Sequence, residues 1–254
     1  MIYVLLVALN EEKALPKLFE AILDSFSAGD ESYSIVVVDD GSTDATAVIT
    51  RQYAGRMPIT LLQHGVNKGL GAGIRTGLRY IADTADKGDF IVTLDADNTH
   101  SPQLMVDMVE EARAGSDIVI ASRYALGGKE VGLSLHRRLL SRCASIMLTC
   151  CLRIKGVKDY TCGFRLYSAH IIQRAFEFYQ DKFITETGFT CMAQILAQLA
   201  PFSPKISEVG LVLRYDLKEG ASKMKIFRTI GGYFRLLLDH MDLVLAKERG
   251  RFSG

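Results

Sequence analysis

Two carboxylates separated by a single residue, Asp95 and Asp97, end the apolar, β-branched run Phe90-Ile91-Val92-Thr93-Leu94. The run reads as a buried strand. Ser101-Pro102 beyond it supplies an N-cap and a first helical residue for a helix from Gln103 to Ala114. Asp95 and Asp97 therefore leave the carboxyl end of a parallel-type strand, where open α/β sheets place their ligands. On a locally extended backbone, side chains two apart point the same way, so the pair can face one divalent cation with a diphosphate completing its shell. The competing reading is a turn whose aspartates cap the next helix. The rest of the chain has to decide between them.

The elements that must position this pair alternate strand and helix through the first half, which implies a mostly parallel sheet. Strands are expected at Tyr3 to Leu9, Ser34 to Val38, Ile59 to Gln63 and Asp117 to Ala121. A helix from near Glu11 carries Ala14, Leu15, Leu18, Phe19 and Ile22 on one face. The glycines of Asn67-Lys68-Gly69-Leu70-Gly71-Ala72-Gly73 have the wrong last spacing for a dinucleotide fingerprint and open the third unit rather than the first, which disfavours a nicotinamide enzyme. In the second half, helices are expected at Leu135 to Ile154, Ala169 to Tyr179 and Gly188 to Leu199, and a late strand at Ile206 to Leu213. The segment from Met224 to Ala246 is amphipathic and basic.

The chain has 254 residues and a formal net charge of +1. That is long enough for one large α/β domain, and the charge balance gives no support to a nucleic-acid partner. The apolar Met1 to Val7 lacks a basic flank and runs into Asn10-Glu11-Glu12, so it reads as a first strand rather than a signal peptide. No stretch reaches the roughly 18 consecutive apolar residues of a membrane span. Cys143, Cys150, Cys151, Cys162 and Cys191 form no C-x-x-C pair and are expected to be buried free thiols.

Several separated motifs then line up. Val7-Ala8-Leu9-Asn10-Glu11, Val38-Asp39-Asp40-Gly41-Ser42-x-Asp44, Asn67-x-Gly69-x-Gly71, Asp95-Ala96-Asp97 and Ser122-Arg123-Tyr124 occur in the order used by glycosyltransferase family 2. The chain resembles in particular the family's polyprenyl-phosphate branch, the dolichol-phosphate mannosyltransferase group. Arg137 and Ser141 match that branch's Arg-x-x-x-Ser helix start, Asp159 to Arg165 its D-x-T-x-G-F-R segment, and Arg214, Gly220, Ser222 and Lys223 its late loop.

The resemblance implies an A-type nucleotide-diphosphosugar transferase fold of class α/β, with a mostly parallel sheet and helices on both faces. A catalytic domain is expected over residues 1–223 and an amphipathic helical segment over 224–254. The implied reaction moves a hexose, with inversion, from a nucleotide-diphosphosugar such as GDP-mannose or a UDP-hexose to a polyprenyl phosphate, using Mg²⁺ or Mn²⁺. Val7, Leu9, Glu11, Val38, Asp39 and Asp40 would line the nucleoside pocket. Asp95 and Asp97 would hold the metal and the diphosphate, with Ala96 contributing backbone and Thr99 standing at a further ligand position. Val7, Leu9 and Thr99 depart from the family's usual Pro, Tyr and Gln.

Residue chemistry agrees with this. A leaving nucleoside diphosphate develops charge that a metal, Arg123, Arg214 and Lys223 would stabilise, so Asp97, Arg123 and Arg214 are the candidate catalytic groups. Arg137 and Ser141 lie at i and i+4 and would address the acceptor phosphate. A phosphate monoester ionises for the second time near pH ~6 and needs no strong base; an acceptor hydroxyl would need one, from Asp159 or Glu186. Glu186 reads more simply as a helix cap, and Arg165 suits a structural salt bridge or a ligand role equally. A soluble hydroxyl acceptor, or a nucleotide-sugar-binding subunit without turnover, are the alternatives.

A polyprenyl acceptor would bring the protein to the cytoplasmic face of a membrane as a peripheral protein. The apolar run Cys143 to Leu152 and the basic stretch with Lys223, Lys225, Arg228, Arg235, Phe227, Tyr233 and Phe234 are the candidate contacts; packing of that stretch on the core, or a membrane-anchoring subunit, are the other possibilities.

Overall fold

The computed structural model describes residues 1–27, 31–217 and 229–238. Its framework is a seven-stranded sheet in the order β3-β2-β1-β4-β7-β5-β8, together with a two-stranded sheet, β6-β9. The strands are β1 (Ile2–Ala8), β2 (Tyr33–Asp39), β3 (Ile59–Gln63), β4 (Phe90–Asp95), β5 (Ile118–Ser122), β6 (Lys129–Val131), β7 (Arg165–Ser168), β8 (Ile206–Gly210) and β9 (Val212–Arg214). In the large sheet β7 alone is antiparallel to its neighbours, β4 and β5. The expected α/β class is borne out.

β1 is apolar along both faces because both are covered. Val4, Leu6 and Ala8 enter one core with Leu15, Leu18, Phe19 and Ile22 of α1 (Leu15–Ser27) and Met105 and Met108 of α4 (Leu104–Arg113). Leu5 enters the other core. It joins Ile74 and Leu78 of α3 (Leu70–Thr84), Ile172 of α6 (Ala169–Tyr179) and Leu196 of α7 (Cys191–Leu199). α2 (Thr46–Tyr53) links β2 to β3, and α5 (Leu135–Leu152) follows β6. Ser101 does not cap α4 as expected: its hydroxyl donates to the Gln103 side chain, and the helix enters through a tight turn closed by Leu104 N–H to Ser101 O.

Two more expectations are corrected. The single late strand is two strands in different sheets, since Ser207 and Val209 pair with β5 while Val212 to Arg214 pair with β6. Cys162 and Cys191 are buried, but Cys143, Cys150 and Cys151 are exposed on α5. The run Cys143 to Leu152 is thus split, with Leu148 and Leu152 in the core and Ile146 exposed. Residues 229–238 form a helix, α8, whose Tyr233 and Leu236 join the core while Phe234 and Leu238 remain exposed. Tyr233 is therefore a packing residue rather than a membrane contact; Lys223, Lys225, Phe227 and Arg228 lie outside the described residues.

The glycine cluster at the start of α3 has a packing role. Gly71 N–H donates to Thr187 O at 3.0 Å, and a Cβ on Gly71 would collide with the Glu186 carbonyl. We predict that Gly71→Ala destabilises the fold by about 1–3 kcal/mol, as overpacking does. Gly65→Ala, whose Cβ would meet nothing within 4 Å, is the control. Equal urea midpoints for the two variants would contradict the packing account.

Candidate active site at the carboxyl ends of β1, β2 and β4

Strand order reverses at β1, with β2 and β3 on one side and β4 on the other. The crevice at this switch point, at the carboxyl ends of the strands, is where such sheets bind ligands. Asp39 and Asp40 end β2, and Asp95 ends β4.

The loops after β1 and β2 lace each other. Asn10, in the left-handed region at φ 52°, donates its N–H to Ser42 Oγ at 2.9 Å and accepts Thr43 N–H at 2.8 Å. Glu12 accepts Ala45 N–H at 3.0 Å, and Glu11 N–H donates to Thr46 Oγ1 at 2.8 Å. Asp39, 2% exposed, accepts Ser42 N–H at 2.9 Å and Gln63 Nε2–H at 3.1 Å.

Asp40 faces elsewhere. It accepts the N–H groups of Lys68 and Gly69 at 2.9 and 2.8 Å and pairs with His64 Nδ1 at 2.7 Å. His64 Nε2 in turn meets Thr76 Oγ1 at 3.0 Å. Asp40 thus anchors the entry to α3 rather than lining a nucleoside pocket. Val38 is likewise wholly buried in the core. Val7, half-buried, packs toward Gly73, while Leu9 and Glu11 are half-buried at the crevice.

The loop that carries Asp95 and Asp97 is braced from within. Asp95 is half-buried and Asp97 is buried. Asp97 Oδ1 accepts the Thr99 hydroxyl at 2.6 Å and the Thr99 N–H at 3.2 Å. Thr99 is 2% exposed, and its hydroxyl orients Asp97. The Ala96 side chain is in the core, leaving only its backbone to the site. His100 Nδ1 accepts the Asp95 N–H at 3.2 Å, and its ring lies on Phe164; sequence reasoning passed over this brace, although His100 stands within the motif. Among the described residues no cluster of three or more His, Cys, Asp or Glu side chains could hold a metal ion. A carboxylate pair with open positions suits Mg²⁺ or Mn²⁺ bound jointly with phosphate oxygens, so the residues present fit the implied metal.

A second cluster faces the site from β5 and α5. Arg123 is a buried cation whose five N–H donors all have partners. Nε and Nη2 bind Asp159 at 2.8 and 2.7 Å, Nη2 also meets Thr161 Oγ1 at 2.6 Å, and Nη1 meets Ser141 Oγ at 2.9 Å and Glu130 at 3.4 Å. In this arrangement Arg123 directs its donors to protein groups and organises Ser141. Burial pushes the Asp159 carboxyl up, but the Arg123 charge and hydrogen bonds outweigh it, and the net shift is downward. Its commitment to Arg123 disfavours Asp159 as a general base.

Arg137 donates to Tyr215 OH at 2.9 Å. Arg214 pairs with Asp216 at 2.7 Å near the surface, and its N–H donates to Thr99 O at 3.1 Å. β9 thereby joins the Asp95–Asp97 loop to Arg137 of α5. Glu186 accepts the Thr190 hydroxyl at 2.6 Å, a brace at the start of α7 rather than a cap on backbone N–H groups. Burial pushes the Cys162 and Cys191 thiols up to about 12, so neither is a nucleophile. Lys223 lies outside the described residues.

The ion pair yields a signed pH prediction. Asp159's folded pKa is depressed below 3.8, so its stabilising contribution is present above that value and is lost as pH falls through the folded pKa. We predict that Asp159→Asn costs about 3–5 kcal/mol near neutrality, because it leaves the buried Arg123 with only the longer, 3.4 Å contact to Glu130. The difference from wild type should shrink between about pH 7 and about pH 2. A urea-unfolding difference that is the same at both pH values would refute the pair's role.

The Glycosyl transferase family 2 model matches residues 3–176. A dolichol-phosphate mannosyltransferase of Pyrococcus furiosus is 29% identical over 238 residues, which is 92% of this chain and 63% of that protein. A dodecaprenyl-phosphate galacturonate synthase of Rhizobium johnstonii is 32% identical over 240 residues, 92% of this chain and 64% of that protein. The chain thus spans somewhat under two thirds of both relatives. Glucosyl-3-phosphoglycerate synthase from Mycobacterium tuberculosis, solved with Mn²⁺, UDP and glucosyl-3-phosphoglycerate, superposes with a TM-score of 0.66 at 19% identity, covering 94% of this chain and 79% of that one. The same enzyme has been solved with Mg²⁺ and UDP. The fold is the A-type glycosyltransferase fold, and the chain belongs to glycosyltransferase family 2.

Proposed function

We propose that this chain transfers a hexose from a nucleotide-diphosphosugar, GDP-mannose or a UDP-hexose, to a polyprenyl phosphate, with inversion. The observation that carries this reading is the junction at β9, where Arg214 N–H binds Thr99 O and Tyr215 meets Arg137. That chain of contacts supports an acceptor face at Arg137 and Ser141 that works with the Asp95-Ala96-Asp97 loop. The names of the two relatives, one dolichol-phosphate and one dodecaprenyl-phosphate enzyme, support the same acceptor class.

In this reading Asp95 and Asp97 hold Mg²⁺ or Mn²⁺, which would offset charge developing on the leaving diphosphate. Asp39, Leu9 and Glu11 border the nucleoside, and Arg214 exchanges its surface contact with Asp216 for the donor phosphates. Arg137 and Ser141 bind the acceptor phosphate, and Arg123 fixes Ser141. The acceptor's phosphate oxygen attacks the anomeric carbon from the face opposite the diphosphate, and the bond from that carbon to the diphosphate oxygen breaks. Loss of Asp159 as a base candidate accords with an acceptor that is already an oxyanion at neutral pH.

The acceptor's lipid chain also implies peripheral association with a membrane, at its cytoplasmic face. No helix among the described residues is long and apolar enough to cross one. Leu135, Leu139 and Ile146 of α5 are exposed, with Arg138 and Arg142 nearby in sequence, and they are the contacts we propose, alone or beside an anchoring subunit.

The test is sugar transfer from a panel of nucleotide sugars to undecaprenyl and dolichyl phosphates with Mn²⁺. Transfer to lipid phosphate is expected, and Arg137→Ala should raise KM for the lipid at least about tenfold more than KM for the donor, one phosphate contact being worth that much. Transfer only to a water-soluble hydroxyl, or equal effects on both KM values, would overturn the assignment.

A further inference from the structure

Arg165 is among the largest fully buried side chains, at 0% exposure. Neither expectation from sequence holds for it. Among the described residues it forms no ion pair; Nη1 and Nη2 donate to the carbonyls of Met192 and Tyr160 at 2.6 and 2.8 Å, and Nε has no hydrogen-bond partner. The other buried arginine at this end of the sheet, Arg123, is by contrast held by Asp159 and Glu130. Binding two carbonyls needs only neutral donors. A permanent charge in that position, desolvated and without a carboxylate, calls for an anion elsewhere.

The sheet register shows where that anion belongs. Thr93 of β4 is paired directly with Arg165 of antiparallel β7. Opposed residues share a face, and side chains two apart share it as well. Asp95 therefore lies on Arg165's face, one pleat further along. Gly163 lies against Asp95: a Cβ there would stand 3.2 Å from Asp95 Oδ1. The Met192 Cε and Sδ lie 3.6 and 3.8 Å from the same point, so a low-dielectric thioether lines the carboxylate there. Diagonal neighbours of this kind are within reach of long side chains.

We propose that Arg165 is an electrostatic positioning residue, which makes the Asp95–Asp97 pair favour a metal bound together with a nucleoside diphosphate over the metal alone. The inference rests on the donor site of the function proposed above. Two carboxylates cancel a divalent cation, so a further positive charge below them opposes binding of the metal by itself. Adding the diphosphate leaves an excess of roughly three negative charges, and the same buried cation then attracts the complex. Donor and metal are bound together, and the site holds little metal between turnovers.

The sign of each change separates this role from packing. We would measure Mn²⁺ binding by electron paramagnetic resonance without nucleotide, and GDP and UDP binding by calorimetry at saturating Mn²⁺. Arg165→Met, close in length but uncharged, should tighten Mn²⁺ a few-fold and weaken the nucleoside diphosphate about tenfold, as loss of one unscreened charge would. Arg165→Lys should keep both affinities near wild type. Should Arg165→Met fail to fold, Arg165→Lys against Arg165→Gln makes the same comparison. Weakening of both ligands, or change in neither, would overturn the proposal. If wild type binds neither GDP nor UDP with Mn²⁺, the donor site itself falls and this inference with it.

Discussion

Crowding of negative charge is the constraint that orders this end of the molecule. Asp39 and Asp40 end β2, Asp95 ends β4 with Asp97 just beyond it, and only β1 lies between those strands. Like charges gathered in a poorly solvated crevice disfavour one another, so each needs fixed donors. The backbone supplies most of them. Asp40 takes Lys68, Gly69 and His64, Asp39 takes Ser42 and Gln63, and Asp97 takes Thr99. The loops that supply these donors are the short polar motifs after each strand. Their composition is thus explained by the carboxylates they hold as much as by any ligand.

The same logic links the Asp95–Asp97 loop to α5. Thr99 braces Asp97 through its hydroxyl and receives Arg214 through its carbonyl, and the next residue, Tyr215, holds Arg137. One turn along α5, Ser141 rests on Arg123, itself clamped by Asp159. The Asp95–Asp97 loop and α5 are thus connected through contacts of named geometry. The antiparallel β7 completes the arrangement, because it inserts Arg165 between β4 and β5 where a parallel strand would have required a crossover.

Local patterns carried most of the fold. Phe90 to Asp95 and Ile59 to Gln63 are strands because apolar, β-branched runs end in turn residues, and α6 spans Ala169–Tyr179 as its periodicity predicts. Non-local pairing was not legible. The four residues of β7 run directly into α6, and their strand character comes from β4 and β5, distant in sequence. The run from Ile206 to Leu213 carries no sign that Gly210 parts it between two sheets.

Within the site, the positions of Asp95 and Asp97 followed from sequence, whereas the duties of Arg123, Asp40 and Thr99 did not. The partner of each, Asp159, His64 or Asp97, is visible only once the chain has folded. The exposed cysteines of α5 were misjudged because apolar neighbours in sequence do not say which face of a helix meets the core.

The central claim is that Asp95 and Asp97 together bind a divalent cation under the donor diphosphate. Electron paramagnetic resonance of Mn²⁺ with added nucleoside diphosphate, compared between wild type and Asp97→Asn, tests it most directly. The account predicts nucleotide-dependent Mn²⁺ binding in wild type and its loss in the variant, with unfolding free energy changed by less than about 1 kcal/mol. Undiminished Mn²⁺ binding by a folded Asp97→Asn protein would contradict it.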